Sequence, residues 1–95
     1  MSITPTYYQY DGNQDARVPH DVEYVRVMDG VTVIPQDAFR LRKQLKCVIL
    51  PDSLLLIEFN AFRCCEALEE INLPARLQVI ERCAFLSTNI KSIYK

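Results

Sequence analysis

The sequence repeats itself every 23 residues, and that period limits the folds open to it more than any other feature. Three segments share one spelling: Ile34-Pro-Gln-Asp-Ala38-Phe39, Ile57-Glu-Phe-Asn-Ala61-Phe62 and Ile80-Glu-Arg-Cys-Ala84-Phe85. Other columns keep the same step: Val31, Leu54 and Leu77; Val33, Leu56 and Val79; Leu45 and Leu68; Val48 and Ile71; and the pairs Leu50-Pro51 and Leu73-Pro74. Upstream, Val22, Val25 and Val27 fall in the columns of Leu45, Val48 and Leu50, which reads as the strand of an earlier, partial unit whose convex half is missing. Downstream, the third unit is one residue short after Phe85, so Ile90 and Ile93 take the places of Leu68 and Ile71.

Each unit carries the same local instructions. Leu-x-x-(Val/Ile)-x-Leu-Pro is a short strand with period-two burial, closed by a proline that cannot donate to a ladder. A following pair such as Val33-Ile34 carries the chain to the other side. Ile-x-x-x-Ala-Phe then sets Ile and Ala four apart, on one face of a short helix, and Pro35 suits a first helical turn. The small Ala lets neighbouring units approach, and Phe fills the space between them. One unit cannot bury its own apolar face, whereas stacked units can. The expected fold is therefore an α/β repeat: a solenoid with a short parallel sheet on one side and short helices on the other.

The spelling Ile-x-x-x-Ala-Phe-x-x-Cys-x-x-Leu-x-x-Ile-x-Leu-Pro resembles the BspA-like leucine-rich repeats. The fullest copy runs from Ile57 to Pro74, with Cys65 in the family's Cys place; the first copy has Arg42 there, and the shortened third has no Cys. The stretch Tyr8-Gln-Tyr10-Asp-Gly12, followed by Val18-Pro19, is similar to the start of some proteins of that kind. The resemblance covers about residues 20 to 95. It implies a right-handed leucine-rich-repeat solenoid with its parallel sheet on the concave face. It also implies binding to other proteins, often as a cell-surface adhesin, with no shared catalytic residue or cofactor.

The chain ends divide it into two parts. Residues 1–20 do not repeat. Tyr7, Tyr8 and Tyr10 favour a strand, Asp11-Gly12-Asn13 signals a turn, and the segment is expected to cap the first open face of a repeat domain over residues 21–95, with one partial and about three 23-residue units. At the other end, Phe85, Ile90 and Ile93 present an unfinished core edge, and Lys95 stands in a leucine column. Solenoids need polar terminal faces. Three closures stay open: a second copy or another subunit of a larger complex on this edge, a longer array, or the polar strand end itself.

Strand positions between the buried ones face outward on the concave sheet. They form two columns: Tyr24, Cys47, Glu70 and Ser92, and Arg26, Ile49, Asn72 and Tyr94. Aromatic, Arg and apolar groups ringed by polar ones suit a protein partner. Ile49 is the most informative, because folding does not need an exposed Ile there. A third column, Glu23, Lys46, Glu69 and Lys91, alternates in sign and reads as stacking support, as does Lys43 one period before Glu66. Leu55 replaces Thr32 and Gln78 in a polar column and is expected at the surface.

Composition removes other classes. Eleven basic against twelve acidic residues give a net charge of −1, and the basic group Arg40, Arg42, Lys43 and Lys46 faces an acidic one, Glu58, Glu66, Glu69 and Glu70, in the next unit. That argues against nucleic-acid binding. No apolar run approaches the roughly 18 residues of a membrane helix, and no secretory leader is recognisable in Met1 to Gly12, so an intracellular protein without membrane insertion is expected. The four cysteines, Cys47, Cys64, Cys65 and Cys83, lie at repeat spacings and, with His20 alone, lack the paired spacing of a zinc site. Cys65 is expected to pack as a reduced thiol. Catalysis finds no Gly-rich loop among only two glycines, and Glu69 and Glu70 fall on alternate sides of a strand start. The function expected is a non-catalytic protein–protein interaction module with no cofactor. The alternative is a fragment of a cell-surface adhesion protein.

Overall fold

The computed structural model describes residues 5–13 and 17–94; for residues 92–94 it describes the strand and its pairing but not the side chains. Eight short strands form two parallel sheets. The larger is built from β1 (Tyr8–Tyr10), β2 (Tyr24–Val27), β4 (Cys47–Ile49), β6 (Glu70–Asn72) and β8 (Ser92–Tyr94), in that spatial order. The smaller consists of β3 (Val33–Ile34), β5 (Leu56–Ile57) and β7 (Val79–Ile80). The register follows the sequence repeat: Val25 pairs with Val48 and Val48 with Ile71, while Ile34 pairs with Ile57 and Ile57 with Ile80. At the last pairing of the large sheet the partner is Ile93, 22 residues on, which absorbs the residue missing after Phe85.

The second sheet was not foreseen as a sheet. Val33-Ile34 and its equivalents read as connectors, yet stacking places like residues side by side, and their main-chain groups pair with the neighbouring unit instead of with water. The strand of Val25 and Val27 is likewise not cut off from its second half. It runs through the Asp29-Gly30 turn directly into β3, so a complete first coil extends from Val22 to Gln44.

The expected helices are absent among the described residues, and six non-glycine residues with positive φ explain why. Asp37, Asn60 and Cys83 share one column, and Leu41, Cys64 and Ser87 another, all with φ between 61° and 64°. A left-handed residue stops a right-handed helix. Hydrogen bonding shows what replaces it. The N–H groups of Ala38, Arg40 and Arg42 donate back to Pro35, Asp37 and Phe39 at 3.2 Å, closing successive turns. Those of Asp37, Phe39 and Leu41 donate instead to Phe59, Ala61 and Arg63 of the next coil, at 3.3, 2.8 and 2.9 Å. A helix sends every N–H four residues back along its own chain. A run of six to eight residues is too short to be a stable helix alone, and alternate donors satisfy the neighbour as well. Ile57 and Ala61 are still both buried, but through a turn stack.

The core lies between the two sheets and the turns, and its spine is aromatic. Phe39 and Phe62 stack at 5.1 Å with 4° between ring planes, and Phe62 and Phe85 at 5.3 Å with 2°. Tyr10 closes the N-terminal end of this column, edge-on to Phe39 at 5.0 Å. β1 continues the large sheet in parallel, with Tyr8 against Val25 and Tyr10 against Val27. The N-terminal segment therefore adds a strand beside the first coil instead of turning back across it. Residues 1–4 and 14–16 of that segment lie outside the described residues.

Candidate interaction surfaces

The large sheet puts the two anticipated columns on its outer side because strand neighbours alternate across the pleat. Val25, Val48 and Ile71 are buried, while Arg26 and Ile49 are exposed and Tyr24 and Cys47 half-buried. Pairing aligns Tyr24 with Cys47, Glu70 and Ser92, and Arg26 with Ile49; Asn72 aligns with Tyr94. The side chains of Ser92, Ile93 and Tyr94 lie outside the described residues, so these positions are placed by strand register alone.

Two of these side chains have structural partners. The Asn72 carboxamide accepts from the Leu50 N–H at 2.7 Å and donates to the Leu50 carbonyl at 2.9 Å. It thereby holds the main chain where Pro51 ends the ladder. The Cys47 thiol lies 3.9 Å from the Tyr7 hydroxyl, and burial pushes its pKa up, which makes it a poor nucleophile. Tyr7 also packs on Tyr24, with ring centroids 5.4 Å apart. The sequence reading missed Tyr7 as part of this face. Its place three residues before the buried Tyr10, and so on the opposite side of the pleat, was the available signal.

A shallow groove crosses the face along Tyr7, Cys47, Ile49, Glu70 and Asn72, and a second runs beside Tyr24, Lys46 and Glu69. Glu69 and Glu70 were expected on opposite sides, but both are exposed and border this second groove, because Glu69 precedes the first paired residue of β6. The alternating charges form two pairs: Lys46 with Glu23 at 2.7 Å, and Lys91 with Glu69 at 3.6 Å. The Glu23 carboxylate, as hydrogen-bond acceptor and as charge, pushes the Lys46 ammonium pKa up. Lys43 and Glu66 form no ion pair. Leu55 is exposed as expected.

The C-terminal edge differs from every internal coil face. Ile34 and Ile57 are fully buried, whereas Ile80 in the same column is 44% exposed. Val79 and Leu86 beside it are 49% and 45% exposed. Phe39 and Phe62 are buried, but Phe85 and Ile90 only partly so. β7 is the outermost strand of its sheet. The carbonyls equivalent to Gln78 and Ile80 in the preceding coil, those of Leu55 and Ile57, accept from Gln78 and Glu81, and the N–H groups equivalent to Phe85 and Ser87, those of Phe62 and Cys64, donate to Ala84 and Leu86. At the edge itself these four groups have no main-chain partner among the described residues.

The chemistry of the cysteines is settled by packing. All four are unpaired as disulfides. Cys65 is fully buried, donates to the Phe39 carbonyl of the preceding coil at 3.0 Å, and burial raises its pKa to about 11. Arg42, in the same column, does a related job over a longer reach: its guanidinium donates to the Val18 carbonyl at 3.0 Å, tying the N-terminal segment to the first coil. Among the described residues no group of three His, Cys, Asp or Glu could hold a metal ion, and no helix is long and apolar enough to cross a membrane.

Stacked parallel strands at a constant residue step, a laddered turn column and a single aromatic spine define a repeat protein built coil upon coil. The chain belongs to the BspA-type leucine-rich repeat family, whose model matches residues 19–95 in six copies. Its repeats are those of a protein-interaction module, generally non-catalytic. Neither a curated protein nor a solved structure matches the chain.

Proposed function

We propose that this protein is a rigid right-handed solenoid whose five-stranded face is concave and binds a protein partner, as an accessory subunit of a larger complex. The observation that carries the reading is Ile49, 39% exposed in the middle of that face, with Arg26 on one side, Asn72 on the other and the Tyr7–Tyr24 pair above. Exposed apolar and aromatic groups within a polar surround form the usual core of a protein interface. The contact residues are Tyr24, Arg26, Cys47, Ile49, Glu70, Ser92 and Tyr94, with Asn72 holding the strand beneath them. A preformed sheet loses little freedom on binding, which favours affinity. Residues 1–20 act as the cap of a repeat domain over residues 21–95, and the edge at Phe85, Ile90 and Ile93 is a second contact surface. Four unpaired thiols favour a reducing, intracellular setting.

Family membership supports a second reading, that the chain is part of a cell-surface adhesion protein. Both readings place binding on the same face. The test is affinity capture and cross-linking with the wild type, Ile49→Asp and Leu55→Asp. Partner binding lost with Ile49→Asp and kept with Leu55→Asp, at unchanged circular dichroism, supports the proposal. Equal capture by all three overturns it. Oxidation of the cysteines in protein taken from its native source favours adhesion.

A further inference from the structure

We infer that the outer side of the large sheet takes an extended segment of a partner protein in which a basic, an apolar and an acidic side chain sit at alternate positions. The basic group meets Glu70, the apolar group lies between Cys47 and Ile49, and the acidic group meets Arg26. The inference rests on the proposed reading of this sheet as a binding face and adds the chemistry of what it binds.

Two charges on this face have no use in folding. The charges beside them are already paired, Lys46 with Glu23 at 2.7 Å and Lys91 with Glu69 at 3.6 Å. Arg26 and Glu70 are both exposed, and among the described residues neither side chain has an ion pair or a hydrogen bond. The repeat does not call for them either: Arg26 shares its column with Ile49, and Glu70 shares its column with Tyr24 and Cys47. Burial first, and the Glu70 carboxylate with it, raise the Cys47 thiol pKa against the lowering effect of the Tyr7 hydroxyl, so the charge of Glu70 is felt within the groove. β2, β4 and β6 each have a strand on both sides, so this face lies inside the stack and is the same whatever covers its ends.

The strand register fixes the spacing. Tyr24, Cys47 and Glu70 form one row, and Arg26 and Ile49 form another two residues further along. With strands about 4.8 Å apart and a rise of about 3.3 Å per residue, Arg26 and Glu70 stand at opposite corners, about 12 Å apart along the diagonal. That diagonal crosses the buried Val48 and runs between Cys47 and Ile49, over the floor of the shallow groove. In an extended peptide the residues i, i+2 and i+4 point the same way, and i to i+4 covers about 13 Å. One segment laid along the diagonal therefore reaches both charges and sets its middle side chain in the groove. Tyr7 lines the groove beside Glu70, so a cation there meets a carboxylate and an aromatic ring together. The separation exceeds the roughly 8 Å over which charges are screened at physiological salt, so each end is sensed by itself. A segment carrying one sign only meets a like charge at one corner, which disfavours it.

The test is a nuclear magnetic resonance titration of the isotope-labelled 95-residue chain with three capped peptides, taken to millimolar concentration at low salt. The first has lysine, leucine and aspartate at alternate positions between serines. In the second the lysine is changed to glutamate, and in the third the aspartate is changed to lysine. The first should move the amide signals of Cys47, Ile49 and Glu70, bind at least about tenfold more tightly than the other two, and lose that advantage at about 1 M salt. Glu70→Lys should weaken the first peptide by about tenfold and make the second the best ligand; Arg26→Glu should do the same in favour of the third. Both side chains are exposed, so the circular dichroism spectrum should not change. Equal binding of the three peptides, an order that neither variant alters, signals moving elsewhere on the chain, or no binding at all overturns the inference. If Ile49→Asp still loses its partner in affinity capture, only the charge pattern falls and the binding face stands; if capture also ignores Ile49→Asp, the reading beneath it falls too.

Discussion

Replacing Phe62 with alanine tests the whole stacking scheme. Its ring is fully buried and stacked on both sides, against Phe39 at 5.1 Å and Phe85 at 5.3 Å. Truncation opens a cavity that rigid coils on either side cannot collapse. The expected loss is about 3–5 kcal/mol, a large part of the roughly 5–15 kcal/mol that holds a domain together. Phe85→Ala removes the same atoms from a ring with one stacking partner and one open face. About half the loss, roughly 1.5–2.5 kcal/mol, is expected there on the same scale. The assay is urea unfolding followed by far-ultraviolet circular dichroism, at one low protein concentration, because any association between chains would add its own stabilisation. Phe39→Ala should match Phe62→Ala, since Tyr10 closes its outer side. An equal or larger loss for Phe85→Ala in the monomer would refute the stacking order, because it requires the last coil to be covered as fully as the inner ones.

Other consequences follow from particular contacts. Cys65 titrates near 11 when folded against a usual thiol value of 9.0, so its stabilising effect is complete below pH 9 and is lost as the pH rises through about 11. The loss is on the order of 2–3 kcal/mol, and Cys65→Ala should flatten the fall in urea midpoint between pH 9 and 11, leaving a smaller slope from Cys47 and Tyr10, whose pKa values burial also raises. In the native state at pH 8, mass spectrometry after brief iodoacetamide treatment should find Cys65 unmodified and the half-buried Cys64 and Cys83 modified first. Asn72→Ala should cost about 1–3 kcal/mol, because it removes the side-chain partner of both Leu50 main-chain groups; a loss within about 0.5 kcal/mol, typical of a surface change, would show the clamp to be unimportant. Leu41, 47% exposed at φ 63°, is a costly left-handed position for leucine. Leu41→Asn should raise the melting temperature with a gain of about 1 kcal/mol, since asparagine adopts that conformation more readily.

How far the sequence could be read depended on whether a residue's partners lie one period away. Val25, Val48 and Ile71, or Phe39, Phe62 and Phe85, meet like residues in the next coil, so the period alone gave the strand register, the aromatic spine and the outward columns. Where the partner breaks the period, the reading failed. Tyr7 meets Cys47 across 40 residues and Arg42 meets Val18 across 24, and neither spacing belongs to the repeat. The Asn72 carboxamide read as a surface group because its engagement with Leu50 depends on a proline-terminated strand lying beside it.

The stacked turns show the division most clearly. The sequence determined that Ile57, Ala61 and Phe62 would be buried together, because apolar spacing within a unit is a local property. Helix or turn was decided only by the neighbouring coil. Its carbonyls at Ala84 and Leu86 take the Phe62 and Cys64 N–H groups that a helix would have used internally. With Asn60 and Cys64 in left-handed conformations, the turn satisfies its own main chain and its neighbour's at once. Asp37 and Asn60 hinted at this, since their residue types tolerate positive φ, but Leu41 and Cys64 gave no sign. The same dependence governs the C-terminal edge: the repeat fixes which residues line it, and only the stacked structure shows that Ile80 and Phe85 have lost the cover that Ile57 and Phe62 keep, because burial in a coil stack belongs to the contact between units and not to the unit.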